Sequence, residues 1–191
     1  MLYDRYGHRK YLTPAERADF LRAAGAMPPL VLTFCGTLVH GGCRISEALA
    51  LTADRVDPAD GVLVFESLKK RRRGVFRAVP VPPDFLVRLR LVHDLDTMHQ
   101  GEDRGRGVRL WPWSRTTAWR RVSEVMEAAG LGGTHATPKG LRHGFGIKAV
   151  TSEVPLNMTQ KWLGHSRIAT TAIYTNATGP EEKQIAQRMW L

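Results

Sequence analysis

Cysteine is nearly absent from this chain of 191 residues, which carries Cys35 and Cys43 and no other. Both fall in a stretch that reads as helix, where their spacing corresponds to about 12 Å along the axis. A disulfide cannot bridge that distance. A cross-linked secreted scaffold is therefore excluded, and reduced thiols fit a cytoplasmic protein. No Cys or His pair stands at metal-ligand spacing, so no metal site is expected. Long apolar runs are missing too. The longest, residues 30–39, falls far short of the ~20 residues of a membrane-spanning helix. Residues 1–10 are polar and basic, without the apolar centre of a signal peptide. Neither an internal repeat nor an interdomain linker is visible, and the length favours one domain with a real core.

Acidic residues are also scarce. Asp and Glu total 18 against 28 Lys and Arg, a formal net charge of +10 with a pI near 10.2. Such an excess favours a polyanionic partner, nucleic acid before membrane, through counterion release and long-range attraction.

Local signals divide the chain into mostly helical elements. Thr13-Pro14 with Glu16 starts a helix that runs to about Gly25. A second follows Pro28-Pro29, with Leu30, Phe34, Leu38 and Val39 on its apolar face and Gly41-Gly42 at its end. The next begins near Arg44, and Ile45, Ala48, Leu49 and Leu51 follow helical spacing. Residues 61–65 and 75–81 are β-rich and read as a hairpin whose loop carries Lys69, Lys70, Arg71, Arg72 and Arg73. A helix is expected over about 84–99, then a polar Gly-rich loop over 100–109. Ser114 caps a helix with Trp119, Val122, Met126 and Ala129 on one face and Arg115, Arg120 and Arg121 off it. Thr137-Pro138 opens a helix carrying Lys139, Arg142 and His143. Pro155 opens a short one ending at Leu163-Gly164, Ser166 is expected to cap the helix of Tyr174, and residues 180–191 form a last helix with Ile185, Met189, Trp190 and Leu191. The expected class is α+β, mostly helical, with a small antiparallel sheet.

Four short motifs carry chemistry: Gly-Cys-Arg-Ile-Ser-Glu around Arg44, Leu-Arg-His around Arg142, Leu-Gly-His ending at His165, and Ile-Tyr-Thr around Tyr174. Guanidiniums offer paired donors matched to phosphate oxygens, and a phenol can act as nucleophile. Two arginines, an imidazole and a phenol suffice for covalent attack on a phosphodiester. In order and spacing these motifs resemble the catalytic domain of the tyrosine recombinases, the phage-integrase family. Tyr3, Tyr6 and Tyr11 lack the context that Tyr174 has.

The resemblance spans about residues 13–178 and implies the fold of the DNA breaking-rejoining enzymes. It implies a site-specific recombinase or integrase in which Tyr174 forms a 3′-phosphotyrosyl link and frees a 5′-hydroxyl, with no cofactor. Arg44, Arg142 and His165 would hold the phosphate and Glu47 would orient Arg44. The general acid would come from the hairpin loop, Lys69 with Lys70 as the alternative, since arginine does not release a proton near neutral pH. Lys139 stands where the family usually carries His; it would donate to the phosphate, with His143 beside it. Arg71, Arg72, Arg73, Arg115, Arg120 and Arg121 are expected to contact DNA. Double-stranded DNA and self-assembly from dimer to tetramer are the implied partners, and a bacterial, plasmid or phage origin the implied context. Family members commonly carry an amino-terminal core-binding domain. Here residues 1–12 read only as a basic lead-in, residues 13–179 as the catalytic domain, and residues 180–191 as a tail able to dock on a neighbour. Two alternatives stay open: a type IB topoisomerase, which resembles this chain in having Lys at position 139, and a DNA-binding regulator that does not cut.

Overall fold

The computed structural model describes residues 2–67, 74–100, 103, 105–176 and 180–187. Residues 2–12 are more than a lead-in, because Leu2, Tyr11 and Leu12 are buried. Helix α1 (Pro14–Gly25) starts with a complete capping box: Thr13 Oγ1 accepts from the Glu16 amide, and the Glu16 carboxylate accepts from the Thr13 amide. Helix α2 (Pro29–Gly41) is apolar nearly all round and forms the central rod of the core, with α1, α4, α6 and α7 packed about it. It ends at Gly42 in the left-handed conformation (φ 55°), so Cys43 lies beyond the helix and not within it as expected. Both thiols are free and buried. Helix α3 (Ile45–Leu49) follows, with Arg44 as its N-cap.

A three-stranded antiparallel sheet lies in the order β1 (Val56–Asp57), β2 (Val62–Glu66), β3 (Phe76–Pro80). Strand β1 was not expected from the sequence, being only two residues long. Register pairs Leu63 with Val79 and Phe65 with Arg77. The alternation therefore turns Leu63, Phe65, Val79 and Arg77 inward.

The helix expected over 84–99 is two helices, α4 (Pro83–Val92) and α5 (Leu95–Gln100), broken at Asp94 with φ 48°. The break has a tertiary cause. His93 turns into the core, its Nε2 3.1 Å from Thr33 Oγ1 and its ring edge-on to Trp111. Helix α6 (Arg115–Ala128) buries Ala118, Val122, Val125 and Met126, while Trp119 is 44% exposed. Its buried face is thus rotated from the expected one. Helices α7 (Pro138–Thr151), α8 (Leu156–Leu163) and α9 (Ile168–Ala172) complete the frame, and α10 (Pro180–Gln187) lies against α7. The N-cap of α9 is Arg167, without a side-chain hydrogen bond, so Ser166 does not cap it. Tyr174 sits just past α9, in a 3-10 turn over Ile173–Asn176. Among the described residues no helix is long and apolar enough to cross a membrane. Met189, Trp190 and Leu191, the end of the expected apolar stripe, lie outside the described residues.

Candidate active site

The floor of the site is built around one buried carboxylate. Glu47, 1% exposed, accepts from the backbone amide of Arg44 at 2.9 Å and from Arg44 Nη1 at 2.7 Å. Its other neighbour is Arg77, whose Nη2 donates to Glu47 Oε2 at 2.6 Å. Arg142 Nη1 stands 3.8 Å from the same oxygen. Arg77 and Arg44 hold the carboxyl of Glu47 below its ordinary range against the opposing effect of burial. Three guanidiniums against one carboxylate leave an excess of positive charge suited to an anion.

Arg77 was missed in the sequence. It is buried on the inner face of β3, and its Nε donates to the Trp162 carbonyl at 2.7 Å while Nη1 reaches Ser67 Oγ at 3.3 Å. One side chain thereby ties the Arg44 helix, the end of α8 and the root of the basic hairpin. The available signal was register: counting by two along the strand puts Arg77 on the face of the apolar Val79.

Helix α7 supplies the next wall. Thr137 Oγ1 accepts from the Gly140 amide at 3.0 Å and Pro138 occupies the first turn, so Lys139, Arg142 and His143 project near a well-formed N-terminus. That end favours an anion. Arg142 is held by two carbonyls left free at helix ends, Gly42 O at 2.8 Å and Leu163 O at 2.6 Å. Both helices turn away through left-handed glycines, Gly42 and Gly164. Burial and then Arg44 lower the pKa of Arg142 to about 10, which leaves it cationic at neutral pH with further N–H donors to offer.

His165 follows Gly164 and is held at both backbone ends by Gln160. Its Nδ1 lies 2.9 Å from Thr171 Oγ1, and its ring stacks on that of Tyr174 at 6.3 Å with 12° between planes. Burial and then Arg142 and Arg44 lower its pKa to about 4, so the imidazole is neutral. Tyr174 is 1% exposed. Burial raises its phenol above the usual value, although Arg142 and Arg44 oppose the shift. Its Oη lies 3.1 Å from His143 Nδ1.

These side chains share one cavity of about 520 Å³. Arg44, Lys139, Arg142, His143, His165 and Tyr174 all line it. Arg115 and Trp119 stand at its wall from α6, so the aromatic read as core faces the site instead. Arg120 is exposed away from it, and Arg121 pairs with Glu124 one turn on. Lys69, Lys70, Arg71, Arg72 and Arg73 lie outside the described residues. Among the described residues no group of His, Cys, Asp or Glu could hold a metal ion.

The profile of the phage integrase family matches residues 11–180. The chain belongs to that family. It is 31% identical over 188 residues to the tyrosine recombinase XerD of Corynebacterium glutamicum, an alignment covering 97% of this chain and 57% of the relative. With XerD of Mycobacterium tuberculosis it shares 34% identity over 189 residues, 88% of this chain and 57% of that protein. The chain thus spans less than two thirds of the length of these curated relatives. The crystal structure of XerA recombinase superposes with a TM-score of 0.77 at 23% identity, over 94% of this chain and 64% of that one. The catalytic domain of bacteriophage HP1 integrase gives 0.64 at 21% identity, covering 92% of this chain and 93% of that domain. Family membership and fold therefore agree with the resemblance that the four motifs carry.

Proposed function

We propose that this chain is the catalytic part of a site-specific DNA recombinase that cuts and rejoins double-stranded DNA through a phosphotyrosine, working as a multimer on its DNA in the cytoplasm. The observation that carries the reading is the single cavity in which the Tyr174 phenol meets Arg44, Lys139, Arg142 and His165. Tyr174 Oη attacks the scissile phosphorus, a 3′-phosphotyrosyl bond forms, and the bond to the 5′ oxygen breaks. Arg44 and Arg142 bind the non-bridging oxygens and stabilise the charge that grows on them. Lys139 adds a further cation at the α7 N-terminus. Thr171 engages Nδ1 of His165, which leaves Nε2 to carry the N–H offered to the phosphate. Lys69, or Lys70 in its place, protonates the departing oxygen. Arg115, at the wall of the cavity, is the best placed of the described DNA-contact candidates; Arg120 would meet the backbone farther out, Arg121 would have to leave Glu124, and Arg71 to Arg73 would add backbone contacts.

A nicked suicide duplex carrying the cognate site tests the reading. The protein should be trapped as a covalent species that migrates slowly in a denaturing gel, and Tyr174→Phe should abolish trapping while DNA binding persists. Equal trapping by the Phe variant would remove Tyr174 as nucleophile.

A further inference from the structure

The Tyr174 hydroxyl has a partner to which the reaction above gives no part. His143 Nδ1 lies 3.1 Å from Tyr174 Oη, and the hydroxyl has no second hydrogen-bond partner among the described residues. The other polar groups at the cavity are poorly suited to take its proton. Lys139, Arg44 and Arg142 carry donors and no acceptor while charged. His165 spends Nδ1 on Thr171 and meets the phenol face to face. Lys139 and His143 stand one turn apart on the same face of α7, so cation and imidazole reach the cavity together.

We propose that His143 is the general base of strand cleavage, taking the phenolic proton of Tyr174 as the tyrosyl oxygen bonds to phosphorus. The inference rests on the reading of Tyr174 as nucleophile. In the Nε2–H tautomer, Nδ1 accepts the hydrogen bond from Oη, and the proton crosses that contact. As the Oη–P bond forms, the P–O5′ bond breaks, and the leaving oxygen receives its proton from the separate acid of the hairpin loop. On rejoining, the incoming 5′-hydroxyl attacks phosphorus and gives its proton back to the hairpin-loop group, the Oη–P bond breaks, and the imidazolium returns its proton to the phenol.

The electrostatics make this base dependent on the substrate. Burial, followed by the cations of Lys139 and Arg142 on its own helix and of Lys10 in the amino-terminal segment, lowers the His143 pKa to about 4. The imidazole is thus neutral and able to accept, but weak. The buried phenol stays protonated, with its pKa raised. A phosphodiester seated among Lys139, Arg44 and Arg142 offsets those cations and strengthens the imidazole as a base when there is a bond to break.

Single-turnover cleavage of the nicked duplex by the whole chain separates this role from a structural one. His143→Ala should cleave about a hundredfold more slowly, within the range for general-base removal, while DNA affinity changes little. Added imidazole should restore the rate in proportion to its free base. His143→Gln, whose amide can bond the hydroxyl but cannot take its proton, should be as slow as the Ala variant. It decides the matter if His143→Ala does not fold. Wild-type cleavage by His143→Gln, or a loss in folded His143→Ala that imidazole leaves unrepaired, overturns the proposal. Trapping by the wild-type protein and equal trapping by the His143 variants removes the base alone. Absence of trapping by the wild-type protein removes the nucleophile and the base together.

Discussion

Arg77 spends its whole guanidinium on the protein interior. Burial of that charge is tolerable because a carboxylate, a carbonyl and a hydroxyl receive its N–H groups. Removing one partner of such a pair strands the rest. Arg77→Ala should therefore destabilise the fold by about 3–5 kcal/mol in urea denaturation, with Glu47 and the Trp162 carbonyl left short of donors. An unchanged midpoint would mean that the three contacts do not matter. Arg44 differs, since its side chain is 30% exposed and opens to the cavity. Arg44→Ala takes one donor from Glu47 but leaves it paired with Arg77, so it should lower the midpoint less than Arg77→Ala does, and it should slow cleavage about a hundredfold or more, the usual effect of removing one transition-state donor. The legibility of the two residues differs for the same reason. Arg44 lies in a contiguous motif with its partner Glu47 three residues on, whereas Arg77 draws meaning from Glu47, Ser67 and Trp162, distant along the chain.

Helix α7 is the element on which the site depends. Its start is encoded locally by Thr137 and Pro138, and the hydroxyl of Thr137 fixes the first turn from which Lys139, Arg142 and His143 project. Thr137→Ala should cost about 1 kcal/mol, the typical value of an N-cap, and Thr137→Ser should recover most of it. Denaturation of the three proteins side by side provides the check, and an Ala variant as stable as the parent would show that tertiary packing alone holds the turn. Elements with such punctuation were legible in the sequence: the capping box of α1, the glycine stop of α2, the proline start of α8. The break between α4 and α5 was not, because His93 leaves the helix to reach Thr33 and Trp111 in other elements. The face of α6 was misread for a related reason. Helical periodicity alone does not tell an aromatic residue that packs in the core from one that lines a cavity.

At the scale of the molecule, buried His93 and the partly buried His40, His143 and His165 tie stability to pH. Burial lowers His40, His93, His143 and His165 to about 4 from an ordinary value near 6.5. Between those values the unfolded chain binds more protons than the folded one, so stability is full above about pH 6.5 and is lost as pH falls toward 4. The buried Glu47 acts in the same sense at lower pH, its depressed pKa stabilising the fold above the ordinary carboxylate range. Melting temperature should therefore drop steadily between pH 6.5 and 4.5, and His93→Gln, which keeps a hydrogen-bonding group toward Thr33, should flatten the slope. A melting temperature constant over that interval would contradict burial of neutral imidazoles.

By itself the sequence determined the fold family, the basic balance suited to a polyanion, and the short motifs that hold Arg44, Arg142, His165 and Tyr174. Each of these resides in composition or in a few adjacent residues, where propensity, capping and motif order operate without reference to the rest of the chain. Tertiary structure decided which partners those residues meet. The Arg77–Glu47 pair, the two carbonyls that seat Arg142 and the contact between His143 and Tyr174 join segments far apart along the chain. Such contacts arise from the sum of strand register, helix rotation and glycine-turned ends, and no local pattern records that sum.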